Sequence, residues 1–70
     1  MYLFIFLEVL QDWTYGMATV VAHDKQEAIN LAVSELGEYA RNDFDTSAFT
    51  CYKLADSVPI GLKDYQYGGA

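Results

Sequence analysis

The residues Tyr2–Leu10 read YLFIFLEVL, and the rest of the chain has to be arranged around this apolar run. It is too short to span a bilayer, and its aromatic and β-branched residues are typical of a strand. Because side chains alternate across a strand, one face is aliphatic and consists of Leu3, Ile5, Leu7 and Val9. The other face is mainly aromatic and consists of Tyr2, Phe4, Phe6, Glu8 and Leu10. We expect a helix to cover the aliphatic face and a partner chain to cover the aromatic one.

Length and cysteine content favour self-association. Seventy residues form one domain, residues 1–70, and a domain of this size buries only about 60% of its unfolded surface. A single cysteine cannot form an intramolecular disulfide, and Cys51 with His23 cannot build a structural zinc site. We therefore expect no metal and no cofactor, and a two-fold homodimer as the route to stability. Tyr2, Phe4 and Phe6 are the expected self-association residues.

Charge restricts the class of partner. Ten acidic residues against four basic ones give a net charge of −6, so no basic face can be assembled for nucleic acid or an anionic membrane. The charge instead favours a protein partner with a basic surface, although acidity also keeps a small apolar protein soluble. The apolar N-terminus lacks the basic residues and cleavage site of a signal peptide, and no segment is long enough for a transmembrane helix. Together with the free thiol, this predicts a cytoplasmic protein that is complete from Met1.

The first half of the chain predicts a hairpin followed by a helix. Residues 11–16 form the hairpin loop, and Met17–Ala22 the second strand. Asp24 and Glu27 have the spacing of a capping box, and from Lys25 the apolar period changes to that of a helix ending near Arg41. The expected buried stripe comprises Ala28, Ile29, Ala32, Val33, Leu36, Tyr39 and Ala40.

The second half predicts two further strands. Residues 42–47 are polar and are expected to cross as a loop, and Ala48–Leu54 alternates as a strand. Pro59 precedes a fourth strand, Ile60–Tyr67, expected at an edge, and a flexible tail from residue 68. The predicted fold class is α+β: a small antiparallel sheet in the order β-β-α-β-β with one helix packed on one face.

Neither of the two residues best suited to catalysis lies in a catalytic pattern. His23 precedes the helix cap, where we expect a surface side chain; the alternative is a general base, which needs a nucleophile or substrate within reach. Cys51 lies mid-strand, and we expect a buried, inert thiol because reactive thiols need electropositive surroundings. The carboxylates are scattered and the glycines do not open a helix. We expect no enzyme.

Eleven aromatic residues in seventy exceed what one small core needs. Trp13 and Tyr15 in the first loop are candidate contacts for a partner, since these residue types are favoured binding anchors. The acidic helix residues Glu27, Glu35 and Glu38 are candidates for docking on a basic surface. The alternative is that these aromatic residues serve only the fold or a dimer core.

Three features give a resemblance. Val20-Val21-Ala22, the helix start Asp24-x-x-Glu27-Ala28 and the closing Tyr67-Gly68-Gly69 resemble, in layout, small uncharacterised proteins encoded by phages and mobile elements. The resemblance implies a cofactor-free inhibitor of host or defence machinery, of the anti-CRISPR-like kind, acting in the host cytoplasm. It carries no functional residue.

These observations predict a non-enzymatic, acidic protein-interaction module. As a phage-type accessory or inhibitor protein, it would dock on the basic, nucleic-acid-binding surface of a host or defence protein. A first alternative is a small-ligand or nucleotide sponge with aromatic residues at a subunit interface. A second is a structural assembly subunit.

Overall fold

A computed structural model describes residues 1–10, 16–55 and 58–68 of the chain. Within these residues lie four strands: β1 (Tyr2–Val9), β2 (Gly16–Ala22), β3 (Phe49–Lys53) and β4 (Gly61–Gln66). Helix α1 (Lys25–Leu36) is followed by a 3-10 turn (Glu38–Ala40) and a short helix α2 (Arg41–Thr46).

The strands form one antiparallel sheet in the order β3-β1-β2-β4. The helices cover one face of it, so the predicted α+β class, the β1–β2 pairing and the edge position of β4 are confirmed. The hairpin loop lies largely outside the described residues, and with it Trp13 and Tyr15. The predicted polar loop at 42–47 is wrong, because most of this segment is α2.

The buried face of β1 is the aromatic one, which reverses the prediction. Phe4 and Phe6 lie beneath the helices, and the Phe6 ring meets the Phe44 ring of α2 edge-on with centroids 5.0 Å apart. The reason is volume: two of the four buried residues of α1 are alanine, so the large rings of the sheet fill the space between the layers. Phe4 and Phe6 are therefore covered within one chain, and their assignment to a subunit interface is wrong; Tyr2 alone of the three is partly exposed.

A β-bulge changes the face on which β1 ends. The register with β2 shifts between Leu7 and Val9, and the intervening Glu8 has a φ of 58°. The extra residue moves Val9 from the aliphatic face to the core, where it is fully buried, while Leu7 stays exposed. Strict alternation, on which the prediction depended, holds only as far as Leu7.

Helix α1 starts as predicted and ends earlier. The Asp24 carboxylate accepts from the Glu27 backbone N–H at 2.8 Å, while the Glu27 carboxylate accepts from the His23 backbone N–H at 2.9 Å. At the other end Gly37, with a φ of 112°, ends the helix and its N–H donates to the Val33 carbonyl. The chain direction changes there, so Tyr39 points outward and is not part of the buried stripe.

Gly68, the last residue that the structure describes, is held by a hydrogen bond to the end of β1. The Gly68 N–H donates to the Leu10 carbonyl at 2.9 Å, and Gly68 is buried, so the predicted flexible tail does not begin at residue 68. A Cβ on Gly16 would lie 1.9 Å from the Gln66 carbonyl oxygen. Glycine at position 16 thus permits the close approach of β4 to the start of β2.

Candidate interaction surfaces

Three tyrosines form an exposed cluster where the helix layer meets strand β4. Tyr39, Tyr65 and Tyr67 are 71%, 45% and 48% exposed. The rings of Tyr65 and Tyr67 meet edge-on with centroids 5.7 Å apart, and the Tyr39 and Tyr67 hydroxyls are 3.2 Å apart. We call Tyr39, Tyr65 and Tyr67 the tyrosine cluster. Tyrosine is enriched at the cores of protein interfaces, which makes this exposed group a candidate interaction surface.

The tyrosine cluster is assembled by two separate elements. Tyr39 is placed by the turn at Gly37, and the two other rings come from the end of β4. The hydroxyl contact raises the pKa of Tyr67, because Tyr39 stabilises its protonated form and the site is partly desolvated. The Tyr67 hydroxyl therefore stays protonated at neutral pH, and it can donate or accept a hydrogen bond.

Carboxylates accompany the tyrosine cluster. Glu35 lies exposed in the last turn of α1, and Glu38 directly precedes Tyr39. Arg41 forms an ion pair with Glu38 through its Nε and Nη2 atoms, which lowers the pKa of Glu38 and raises that of Arg41. The Arg41 Nη1 also donates to the Asn30 side chain at 3.0 Å, so this guanidinium is held along the helix layer.

Glu27 lies at the opposite end of α1, about 12 Å along the helix from Glu35. Its carboxylate accepts from the His23 backbone and lies 2.9 Å from the His23 Nδ1 atom, and the backbone hydrogen bond is the main cause of its lowered pKa. His23 is exposed beside the cap, as predicted. Glu35 and Glu38 therefore lie at the same end of α1 as Tyr39, whereas Glu27 lies at the other end, where its carboxylate serves the helix start.

The sheet face opposite the helices is mainly aliphatic over β1 and β2, and β4 adds the polar residues Asp64 and Gln66 at its edge. Its exposed or half-buried members from the other three strands are Leu3, Ile5, Leu7, Met17, Thr19 and Tyr52. No described segment covers this face, which we call the open face. The uncovered apolar surface of the chain is thus aliphatic and not the predicted aromatic one.

Cys51 is exposed in the middle of edge strand β3, so the prediction of a buried thiol is wrong. The reason is strand order, since β3 lies at the sheet edge beyond β1 and the helices do not reach over it. Phe49 on the same strand is partly covered by the Lys25 ammonium group, which lies 4.8 Å from the ring centroid.

Within residues 1–10, 16–55 and 58–68 there is no cavity that would enclose a small molecule. In the same residues, no three histidine, cysteine or acidic side chains converge to hold a metal ion. Among the helices that the structure describes, none is long and apolar enough to cross a membrane.

Comparison with protein-family models, with curated proteins and with solved structures gave no significant match.

Sequence reasoning missed the tyrosine cluster, although it had noted the aromatic excess. It placed Tyr39 in the buried stripe because helical spacing continues through Gly37. The signal that points the other way is Gly37 itself, two residues before Tyr39, as a helix-ending glycine.

Proposed function

We propose that this chain is a non-enzymatic interaction module whose tyrosine cluster, with Glu35 and Glu38, docks on an arginine-rich surface of another protein. The observation that carries the proposal is the exposed group Tyr39, Tyr65 and Tyr67, with Glu38 directly before Tyr39 in the chain and Glu35 four residues before it. Tyrosine faces attract guanidinium groups, and carboxylates pair with them in bidentate geometry. A basic surface rich in arginine is the complement of this combination.

The charge of the helix layer supports the choice of a basic partner. Residues 24–46 carry six carboxylates against two cations, a net −4 of the −6 of the whole chain. Such a field speeds the approach of a positive surface and repels nucleic acid. The partners proposed are therefore proteins whose basic surface binds nucleic acid, and the mechanism is competition for that surface in the cytoplasm, as expected of a phage-type inhibitor.

The test is a titration with two peptides of equal charge, nona-arginine and nona-lysine. Binding is monitored through the NMR chemical shifts of the backbone amides and the tyrosine rings. We expect shifts centred on Tyr39, Tyr65 and Tyr67, tighter binding of the arginine peptide, and an affinity that falls as salt is raised. Tyr39→Ala is expected to weaken binding about tenfold, the loss typical of an exposed aromatic anchor.

The matched charge controls are Glu35→Gln and Glu8→Gln, which remove one carboxylate each. Glu35→Gln should weaken binding of the arginine peptide, whereas Glu8→Gln, on the bulge of β1, should change it less than twofold. Equal effects of the two changes, or shifts spread over all carboxylates, would show general charge attraction and contradict a defined site. Failure to displace a fluorescent DNA oligonucleotide from basic proteins would contradict the competition mechanism.

A further inference from the structure

The outer edge of strand β3 has the features of a self-pairing edge. Strand β3 pairs with β1 on one side only, and no described segment pairs with its other side. The Leu7 N–H donates to the Ala48 carbonyl, and the Leu54 N–H donates to the Met1 carbonyl. Since main-chain groups alternate in direction along a strand, the even-numbered residues 48–54 face β1. The N–H and C=O groups of Phe49, Cys51 and Lys53 consequently face outward.

The other edge of the sheet differs in every relevant respect. Strand β4 has a register shift opposite Thr19 and Val20, contains Lys63 and Asp64, and starts at Gly61 with a φ of 141° directly after the Pro59-Ile60 segment. Bulges, charges and proline are the devices that protect an edge against pairing. Strand β3 is regular over five residues and has one charge, Lys53, at its end. The β4 edge is therefore protected against pairing with another chain, whereas the β3 edge is not.

Charge also points to this edge as the place where two copies meet. Two chains of net charge −6 repel each other, and the repulsion is smallest where carboxylates are absent. Residues 46–55 contain no acidic residue, and their single charge is that of Lys53.

We propose that two copies of this chain pair antiparallel through the outer edges of β3, about a two-fold axis at Cys51. The register follows from the outward groups: Cys51 lies opposite Cys51 of the second copy, and Phe49 opposite Lys53. The pair Cys51–Cys51 occurs once and the pair Phe49–Lys53 twice. Each of these three pairs exchanges two main-chain hydrogen bonds, about six in all, and the two sheets join into one sheet of eight strands. No like charges face each other in this register, and the stem of Lys53 lies beside the Phe49 ring of the other copy. The interface is independent of the tyrosine cluster, which stays accessible on both copies.

The first experiment is sedimentation velocity of the whole chain over a range from micromolar to millimolar. We expect reversible dimerisation, abolished by Cys51→Pro and retained by Cys51→Ala. Proline removes the outward N–H at the centre of the edge and leaves the bonds of Thr50 and Tyr52 to β1 in place. Leu7→Glu, on the open face, should leave the dimer intact. A dimer lost in Leu7→Glu and kept in Cys51→Pro would overturn the proposal in favour of packing through the open face.

Cross-linking tests the register without a proline substitution. It therefore still tests the proposal if Cys51→Pro fails to fold. At a pair that exchanges hydrogen bonds the Cα atoms lie about 5.5 Å apart, within the disulfide range of about 4.4–6.8 Å. Under mild oxidation with copper-phenanthroline, two thiols lose two protons and two electrons to the oxidant and form one disulfide. The native chain should become a covalent dimer rapidly, and the variant Cys51→Ala with Ala55→Cys should not.

A mixed experiment fixes the direction of pairing. The variants Phe49→Cys and Lys53→Cys, each made with Cys51→Ala, should cross-link to each other when mixed and only slowly when kept apart. Cross-linking of either variant with itself as fast as with the other, or a native chain that sediments as a monomer at millimolar concentration, would overturn the proposal.

Discussion

At the scale of residues, short-range hydrogen bonds determine where α1 begins and ends. Asp24 and Glu27 satisfy backbone donors at its start, and Gly37 supplies the positive φ at its end. These contacts need only neighbours in sequence. The Glu27 carboxylate has a lowered pKa because it accepts from the His23 backbone and ring.

The lowered pKa of Glu27 predicts an acid-sensitive contribution to folding. A carboxyl whose pKa is lower in the folded chain stabilises it fully above the ordinary value of 4.5, and this stabilisation is lost as the pH falls through the lowered pKa. Glu27→Gln keeps an acceptor for the cap but removes the charge, so we expect the variant to be less stable than the native chain at pH 7 and to approach it at low pH. As the pH falls from about 5 to about 2, the free energy of unfolding of Glu27→Gln should fall less steeply than that of the native chain.

Urea denaturation at several pH values measures this slope. Glu38→Gln, which removes a carboxyl held by Arg41, is the companion variant, and the double variant should lose the sum of both effects because the sites lie at opposite ends of α1. A pH profile of Glu27→Gln parallel to that of the native chain would exclude the contribution.

At the scale of elements, the bulge in β1 determines which side chains enter the core. Glu8 takes a left-handed conformation, and Val9 joins Phe4 and Phe6 beneath the helices. A residue other than glycine, asparagine or aspartate is strained there, at a cost of about 1–3 kcal/mol.

We predict opposite orders of stability at position 8 and at an ordinary strand position. Glu8→Gly relieves the strain and should be neutral or up to about 1 kcal/mol more stable, whereas Glu8→Val should lose about 2 kcal/mol because a β-branched residue resists positive φ. At Thr50, in the extended strand β3, the order reverses and valine is more stable than glycine. Urea denaturation of the four variants measures both orders. Valine more stable than glycine at both positions would mean that β1 runs without the bulge.

At the scale of the whole molecule, charge and apolar surface lie on opposite sides. The helix layer, residues 24–46, carries most of the net charge, and the open face carries the aliphatic side chains of β1. Self-repulsion within the helix layer opposes the compact state, and dissolved ions screen it.

We therefore predict that salt stabilises the monomer. The melting temperature, measured at a concentration where light scattering shows monomer, should rise by a few degrees between low and physiological ionic strength. Glu35→Lys changes the net charge from −6 to −4 and should reduce that rise. A melting temperature that falls with salt would show that attractive pairs such as Glu38–Arg41 outweigh the repulsion.

The sequence alone determined the features that depend on local chemistry. The apolar periods of two and 3.6 residues located the strands and α1. The Asp24–Glu27 spacing located the helix start, because the capping hydrogen bonds depend only on residues that are close in sequence. Tertiary structure decided what depends on the space between layers. The small buried residues Ala28 and Ala32 of α1 leave room for large rings below them, and the face with Phe4 and Phe6 fills that room. Packing between segments far apart in sequence also decided three further features, which no local pattern predicts. They are the bulge at Glu8, the helical form of residues 41–46 and the contact of Tyr39 with Tyr67.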